Sequence, residues 1–334
     1  MAIARIDESQ IPPFWVTIMG LGGCGVHQVD VLQREFGHAF KGLHLRYFAV
    51  DSDSAPGLSH SAKRPTVPWV YWRWGEEPYH LCPQSCHGDA ALARGSDWKN
   101  VKADIAVCFD LATTDVLILL VGWGKGAGTG ISQALAAQAR LAGKTVFVLA
   151  ALPFQSETSP IGLSVEMRRL ESVCDAVLYF DQEHPTDGTF MTQSASLGEC
   201  MRITDRRMQD CFHELLKGMT CAALQTSMHV PDVSRCFIQE GRCGYGHFDA
   251  NVAKEIPEAL SVALQDAHQM TGRPALRHGF IRVAHPRGVE RDVVWKGLTS
   301  ALDALPISQA MAFDKSVEVD ASLVNKIAIS VFVA

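Results

Sequence analysis

At 334 residues, with 47% hydrophobic residues and a mean hydropathy of +0.06, the chain has material for one large or two medium domains with a buried core. A formal charge of −6 argues against a general nucleic-acid or anionic-membrane binder, whose footprint is basic. No apolar run reaches the roughly 18–20 residues of a transmembrane segment, the N-terminus lacks a signal peptide's apolar core, and the cysteines inside apolar runs (Cys108, Cys174, Cys211) suit reduced thiols in a cytoplasmic protein.

Residues 15–19 (WVTIM) read as a first strand, ending in Gly20–Gly25 (GLGGCG). Val26, Val29, Val31, Leu32 and Phe36 then supply the apolar positions of a helix packed on a sheet. His44–Val50 is a second strand, with Asp51 and Asp53 at its carboxyl end. Strand, glycine turn, helix and strand make a βαβ unit, which implies parallel pairing. Residues 54–100 carry Pro56, Pro65, Pro68, Pro78 and Pro83 and the aromatic stretch WVYWRWGEEPYH. With Arg73 these aromatics offer a stacking surface for bases, but the acidic balance favours local packing. Cys82, Cys86 and His87 have zinc-ligand spacing with no second pair after them, so no metal is assigned.

Asp115–Val121 is a short apolar run bounded by glycine, the pattern of a fully buried strand. The stretch Gly122–Gly130 (GWGKGAGTG) follows it, and Ile131–Ala137 is rich in alanine and leucine, which favours helix. Glycines at this density let successive backbone N–H groups point one way, an anion cradle with a positive helix end behind it. Lys125 adds a cation and Thr129 a hydroxyl. The stretch is not a P-loop, because no Gly-Lys-Ser/Thr follows at the required spacing.

Lys144–Leu152 is another buried strand, ended by Pro153–Glu157; Leu163–Leu170 reads as helix and Ala176–Phe180 as a strand running into Gln182. Strands and helices thus alternate as in a doubly wound α/β parallel sheet. Ligands on such sheets bind beyond the carboxyl ends of the strands, where Gly22–Gly25, Asp51, Asp53, Gly124–Thr129, Glu157 and Gln182 fall. Residues 199–224 then repeat apolar side chains at three- and four-residue steps: Met201, Met208, Cys211, Phe212, Leu215, Leu216, Met219, Ala222 and Ala223. They form one long central core helix, about 39 Å if helical throughout. Beyond it, helices at Glu255–Met270 and Val289–Leu305 and strands at Phe280–Ala284, Lys315–Val319 and Ile327–Val333 make a smaller α+β domain.

Gly20, Gly22 and Gly25, with Asp51 beyond, match the dinucleotide fingerprint, which taken by itself indicates a Rossmann-type nicotinamide- or flavin-dependent oxidoreductase. A Rossmann enzyme holds one pyrophosphate with one glycine turn, whereas here two glycine-rich turns converge on one sheet edge. Two cradles suit a longer polyphosphate, a nucleoside triphosphate.

These motifs resemble those of the tubulin/FtsZ superfamily. Gly124–Gly130 (GKGAGTG) is similar to the family's GGGTGTG, with Lys125 for a glycine and Ala127 for a threonine. Ile18–His27 (IMGLGGCGVH) is similar to its first glycine loop, Phe48–Asp53 (FAVDSD) to AVNTD, and Pro153–Glu157 (PFQSE) to PFxFE. The resemblance keeps the family's order from about residue 15 onward. It implies a GTPase domain over 1–198, the central helix over 199–224 and a C-terminal α+β domain over 225–334. GTP or GDP, with Mg2+, would be the ligand, and Gly22, Gly23, Cys24, Gly25, His27, Gly124, Lys125, Gly126, Ala127, Gly128 and Thr129 would lie at the phosphates. Asp53 lies in the matching AVNTD-like segment. Glu157 matches a ribose-contacting glutamate, although Thr158, Ser159, Pro160 and Ile161 stand where the family has a basic residue. Gln182 falls where the family reads the guanine base, Gln209 or Asp210 where the second base contact belongs, and Asp205 replaces the aromatic that stacks on the base.

In the family, a loop after the central helix enters the nucleotide site of the next subunit, so hydrolysis requires a head-to-tail homopolymer. Here that segment reads Ser227–Asp232 (SMHVPD): Asp232 keeps one carboxylate and His229 takes the place of the other. A histidine can position water but supplies no fixed negative charge. The resemblance therefore implies a self-assembling, filament-forming cytoskeletal GTP-binding protein with weak or altered hydrolysis. A nucleotide-bound dimer or a regulator of another filament is the alternative. With IAISVFVA as its last residues, the sequence is expected to bind no division-type adaptor through a tail peptide.

Overall fold

A computed structural model describes residues 14–36, 40, 43–51, 69–71, 113–124, 126–157, 160–183, 196–220, 241–272, 276–305 and 312–334. Strands β1 (Phe14–Leu21), β2 (Leu43–Asp51), β3 (Trp69–Tyr71), β4 (Val116–Gly122), β5 (Thr145–Ala151), β6 (Ala176–Phe180), β7 (Gly241–Ala250), β8 (His278–His285), β9 (Ala312–Val319) and β10 (Ile327–Val333) form one sheet. Its order is β3-β2-β1-β4-β5-β6-β7-β10-β8-β9. Pairing is parallel from β3 through β7 and antiparallel on both sides of β10, and β8 and β9 are parallel again.

Helices α1 (Gly22–Phe36), α2 (Gly126–Leu141), α3 (Pro160–Glu171) and α4 (Leu197–Met219) accompany the parallel part. Alternate residues of β4 face opposite layers. Val116, Ile118 and Leu120 pack with α1 and α4, while Leu117, Leu119 and Val121 pack with α2 and α3. Burial on both faces is why these strands read as unbroken apolar runs. Each fully buried aliphatic side chain stabilises the sandwich by about 1.5–3 kcal/mol.

Both glycine loops enter helix earlier than their composition suggests: α1 starts at Gly22, not Val26, and α2 at Gly126. Helix α4 is capped by Ser196, whose hydroxyl accepts from the Glu199 N–H at 3.3 Å. It ends at Met219 because Thr220 is extended, giving 23 residues and about 34 Å of helix. Its buried face begins at Cys200 and Thr204; Met201, assigned to that face from the sequence, is 47% exposed. Ala222 and Ala223 lie outside the described residues.

The C-terminal part is not a separate sheet. Strand β7, which the sequence did not announce, pairs with β6 over Gly241–Cys243 and then with β10 over Gly244–Ala250. Helix α5 (Ile256–Thr271) lies directly on it. A Cβ on Gly244 would come within 1.8 Å of the Ala267 carbonyl oxygen, and one on Gly246 within 1.9 Å of that of Ala263. Helix α6 (Arg291–Ala304) packs beside α5 in the same core. No helix among the described residues is long and apolar enough to cross a membrane.

Candidate functional site

At the carboxyl ends of β1 and β4 the first turns of α1 and α2 sit side by side. Gly22 has φ +68°, and a Cβ there would lie 3.0 Å from the Gly128 nitrogen. A Cβ on Gly25 would lie 2.0 Å from the Leu120 carbonyl oxygen, so α1 rests on β4 itself. Gly124, at φ +83°, turns its N–H to Thr129 Oγ1 at 2.9 Å, and the Thr129 side chain is buried. Trp123 anchors the loop from below: its side chain is buried, its backbone N–H donates to the Ala151 carbonyl at 2.8 Å, and its ring meets Tyr179 edge-on at 6.3 Å.

Among the described residues, the cradle is open above this base. A Cβ on Gly23 would meet nothing within 4 Å. Cys24 is half-buried against Gly122, Ala127 is partly buried on the α2 side, and His27 is exposed on α1. Neither α1 nor α2 carries an acidic residue in its first turn, so their amide ends are not neutralised locally by their own side chains. A bound anion is what such paired ends stabilise.

The flank of the cradle is built from three further elements. Glu157 is exposed in a short turn, its carboxylate accepting from the Phe154 N–H at 3.3 Å. Gln182 is buried just past β6, and the preceding carbonyl, of Asp181, accepts from Thr204 Oγ1 of α4 at 3.3 Å. One turn on, Gln209 donates from Nε2 to Gln28 Oε1 of α1 at 3.2 Å. Asp205 lies between them; burial raises its pKa, against the opposing pull of His27 and the Gln28 amide.

Gln209 and Asp210, alternatives in the sequence, face different places. Gln209 meets α1, whereas Asp210 lines a cavity of about 390 Å³ with Ile203, Arg206, Arg207, Tyr245, His247 and Asp266. Desolvation raises the Asp210 pKa there, although His247 and Arg206 pull the other way. Asp53, Lys125, His229 and Asp232 lie outside the described residues, as do Cys82, Cys86, His87 and Arg73.

Gln28 and Trp123 were not singled out from the sequence. Gln28 falls at helical spacing with Gly25 and Leu32, a stripe visible only if α1 is begun at the glycines.

No family model and no curated protein sequence matches the chain. The fold is that of the tubulin/FtsZ class, a mixed α/β sheet with paired glycine turns and a long central helix. An empty FtsZ dimer of M. jannaschii is similar with a TM-score of 0.74 and 16% identity, over 97% of this chain and 89% of that one. A GTPγS-bound protofilament of CetZ2 from Haloferax volcanii gives 0.71 and 18%, over 96% and 92%. A GTPγS-form protofilament of TubZ from Bacillus thuringiensis serovar israelensis gives 0.68 and 12%, over 97% and 88%. At these identities the likeness is one of fold.

Proposed function

We propose that the protein binds a guanine nucleotide and associates head to tail with copies of itself, with slow GTP hydrolysis at the contact between subunits. The observation that carries this reading is the adjoining of two glycine-built helix N-termini on one sheet edge, so close that a Cβ on Gly22 would lie 3.0 Å from the Gly128 nitrogen. One such end suits a pyrophosphate; two in contact suit a triphosphate. Residues 22–25 and 124–129 would hold the phosphates through backbone N–H groups, with Lys125 adding charge. Mg2+ would arrive largely on the phosphates themselves. Glu157 would take the ribose, and Gln182 with Gln209 would face the base.

The domain reading is a nucleotide-binding part to about residue 198, α4 as the shared spine and a C-terminal part over 225–334. The similar CetZ2 and TubZ structures, a GTPγS-bound and a GTPγS-form protofilament, support both nucleotide and assembly. Asp232 of one subunit would orient water in the site of the next. His229 would position that water without adding a fixed charge, which favours slow turnover.

Mass spectrometry of the purified protein identifies the bound nucleotide; NAD or flavin in place of GTP or GDP would overturn the proposal. Phosphate release per subunit should rise with protein concentration and fall at least tenfold in Asp232→Ala. A rate independent of concentration removes the shared site. Light scattering with GTPγS separates a filament from a nucleotide-bound dimer.

A further inference from the structure

Strands β7 and β10 and helix α4 share a line of polar side chains that the nucleotide reading does not use. Nδ1 of His247, on β7, lies 2.9 Å from Ser330 Oγ of β10, and the Ser330 hydroxyl donates to Glu214 Oε2 of α4 at 2.8 Å. Glu214 also meets Arg282 of β8, which meets Glu318 of β9. A hydroxyl has one proton to donate, and an ionised carboxylate only accepts. With that proton directed at Glu214, Ser330 Oγ accepts from His247, so Nδ1 carries the ring proton. Nε2 is then the nitrogen that titrates. It faces Asp249 Oδ1 at 3.4 Å, a buried oxygen without a hydrogen-bond partner, while Asp249 Oδ2 takes Lys326 at 2.6 Å.

The charges along this line do not cancel. Asp249, Glu214 and Glu318 are three carboxylates, against the two cations Lys326 and Arg282. Toward the cavity beside α4, His247 shares the wall with Asp210 and Arg206, and Arg207 is paired with Asp266 of α5 at 2.6 Å. His213 lies 3.3 Å from Glu214 Oε1, against Phe36 and Phe40. A proton on His247 Nε2 supplies the missing positive charge and bridges the gap to Asp249 with a charge-assisted bond. The side chain is 33% exposed, so solvent protons reach it.

We propose that His247 is a proton-operated latch. Protonated at Nε2, it joins Asp249 to Ser330 and Glu214 and fastens β7 and β10 to the central helix; deprotonated, it leaves two acceptors face to face and the fastening slackens. Burial acts to lower the His247 pKa, but Asp249, Glu214 and Asp210 outweigh it and raise it. A histidine raised in this way contributes stability that is complete below its unfolded pKa, about 6.5, and is lost as pH rises through the folded value. The latch is therefore closed at pH ~6 and opens toward the alkaline side.

Two measurements on the full chain test it. Histidine NMR, with the His247 signal identified by its absence in His247→Asn, should show neutral His247 as the Nδ1–H tautomer. Amide hydrogen exchange, expressed as protection relative to β4, should show β7 and β10 losing about threefold or more between pH ~6 and pH ~9. His247→Asn, whose amide keeps the bond to Ser330 but takes no proton, should hold that ratio constant. Asp249→Asn should lower the pH at which His247 titrates, and His213→Gln should preserve the pH dependence. The Nε2–H tautomer, a wild-type ratio that does not change with pH, or a change that survives in His247→Asn overturns the latch. Loss of the pH dependence in His213→Gln overturns it as well, because the proton then sits on the other ring. Asp249→Asn keeps His247 and decides the question if His247→Asn unfolds: an unchanged titration overturns the proposal.

Discussion

A side chain on Gly22 would press on the backbone of Gly128 across the two glycine turns, and Gly128 in turn has no room for one. A Cβ on Gly128 would lie 2.8 Å from the Gly122 carbonyl oxygen and 3.0 Å from that of Leu21. These are backbone atoms of β1 and β4, which cannot move without disturbing the sheet. Gly128→Ala should therefore part the two turns, lowering the melting temperature and removing nucleotide binding together. Gly23→Ala is the control: its Cβ enters open space, so thermal unfolding should stay at the wild-type temperature.

A comparable contact joins α5 to β7. With 1.9 Å between a Gly246 Cβ and the Ala263 carbonyl oxygen, Gly246→Ala forces the helix off the strand. Overpacking of a tight core costs about 1–3 kcal/mol and sometimes more. Urea denaturation should place this variant at or above the upper end of that range.

Central helix α4 is tied to the C-terminal strands by a buried charge cluster. Glu214 meets Arg282 of β8, and its Oε2 accepts from Ser330 of β10 at 2.8 Å; Arg282 also meets Glu318 of β9. Burial pushes the Glu214 pKa up, but Arg282, His213, His247 and Ser330 outweigh it and hold the carboxyl well below the usual range. Glu214→Leu leaves Arg282 short of one partner in the interior and should cost about 3–5 kcal/mol at neutral pH. A depressed carboxylate contributes stability above its unfolded pKa and loses it as pH falls through the folded one. The deficit of the variant should thus be as large at pH 5 as at pH 7 in urea unfolding.

Asp320 holds the far end of α4 through Lys217, and accepts from the N–H and hydroxyl of Ser322 at 2.9 and 2.6 Å. Burial acts to raise its pKa, yet these partners lower it to about 2. An unfolded aspartate titrates near 3.9. Its contribution is therefore complete above pH ~4 and is lost as pH falls toward ~2. Asp320→Asn should be less stable than wild type at pH 6, and the gap should close between those limits, as followed by thermal unfolding.

How far the sequence announced this structure depended on what each element had to bury. Strands β4, β5 and β6 are covered on both faces, so their apolar runs were plain, and the glycine turns after β1 and β4 located the cradle. Strand β7 (GRCGYGHFDA) was invisible because its apolar complement is missing: Gly244 and Gly246 are there to let α5 approach. Met201 misled because its place on the helix stripe falls where α4 faces solvent, while Cys200 and Thr204 take the buried side. At the site, the backbone cradle was legible from glycine spacing. The Gln28–Gln209 pair was not, since a glutamine on a helix ordinarily marks the wet face and only three-dimensional contact with α4 reveals otherwise.

The position of β10 governs when each half of the molecule can be completed during synthesis. Every described strand from β1 to β6 has its lateral neighbours, β7 apart, earlier than residue 184, so that portion can assemble while the ribosome is still translating. Strand β10 instead separates β7 from β8, with seven partners on one side and six on the other. Until Ile327–Val333 emerges, β7 and β8 have unsatisfied edges where it belongs, and a nascent chain halted before that point would expose both to neighbouring chains.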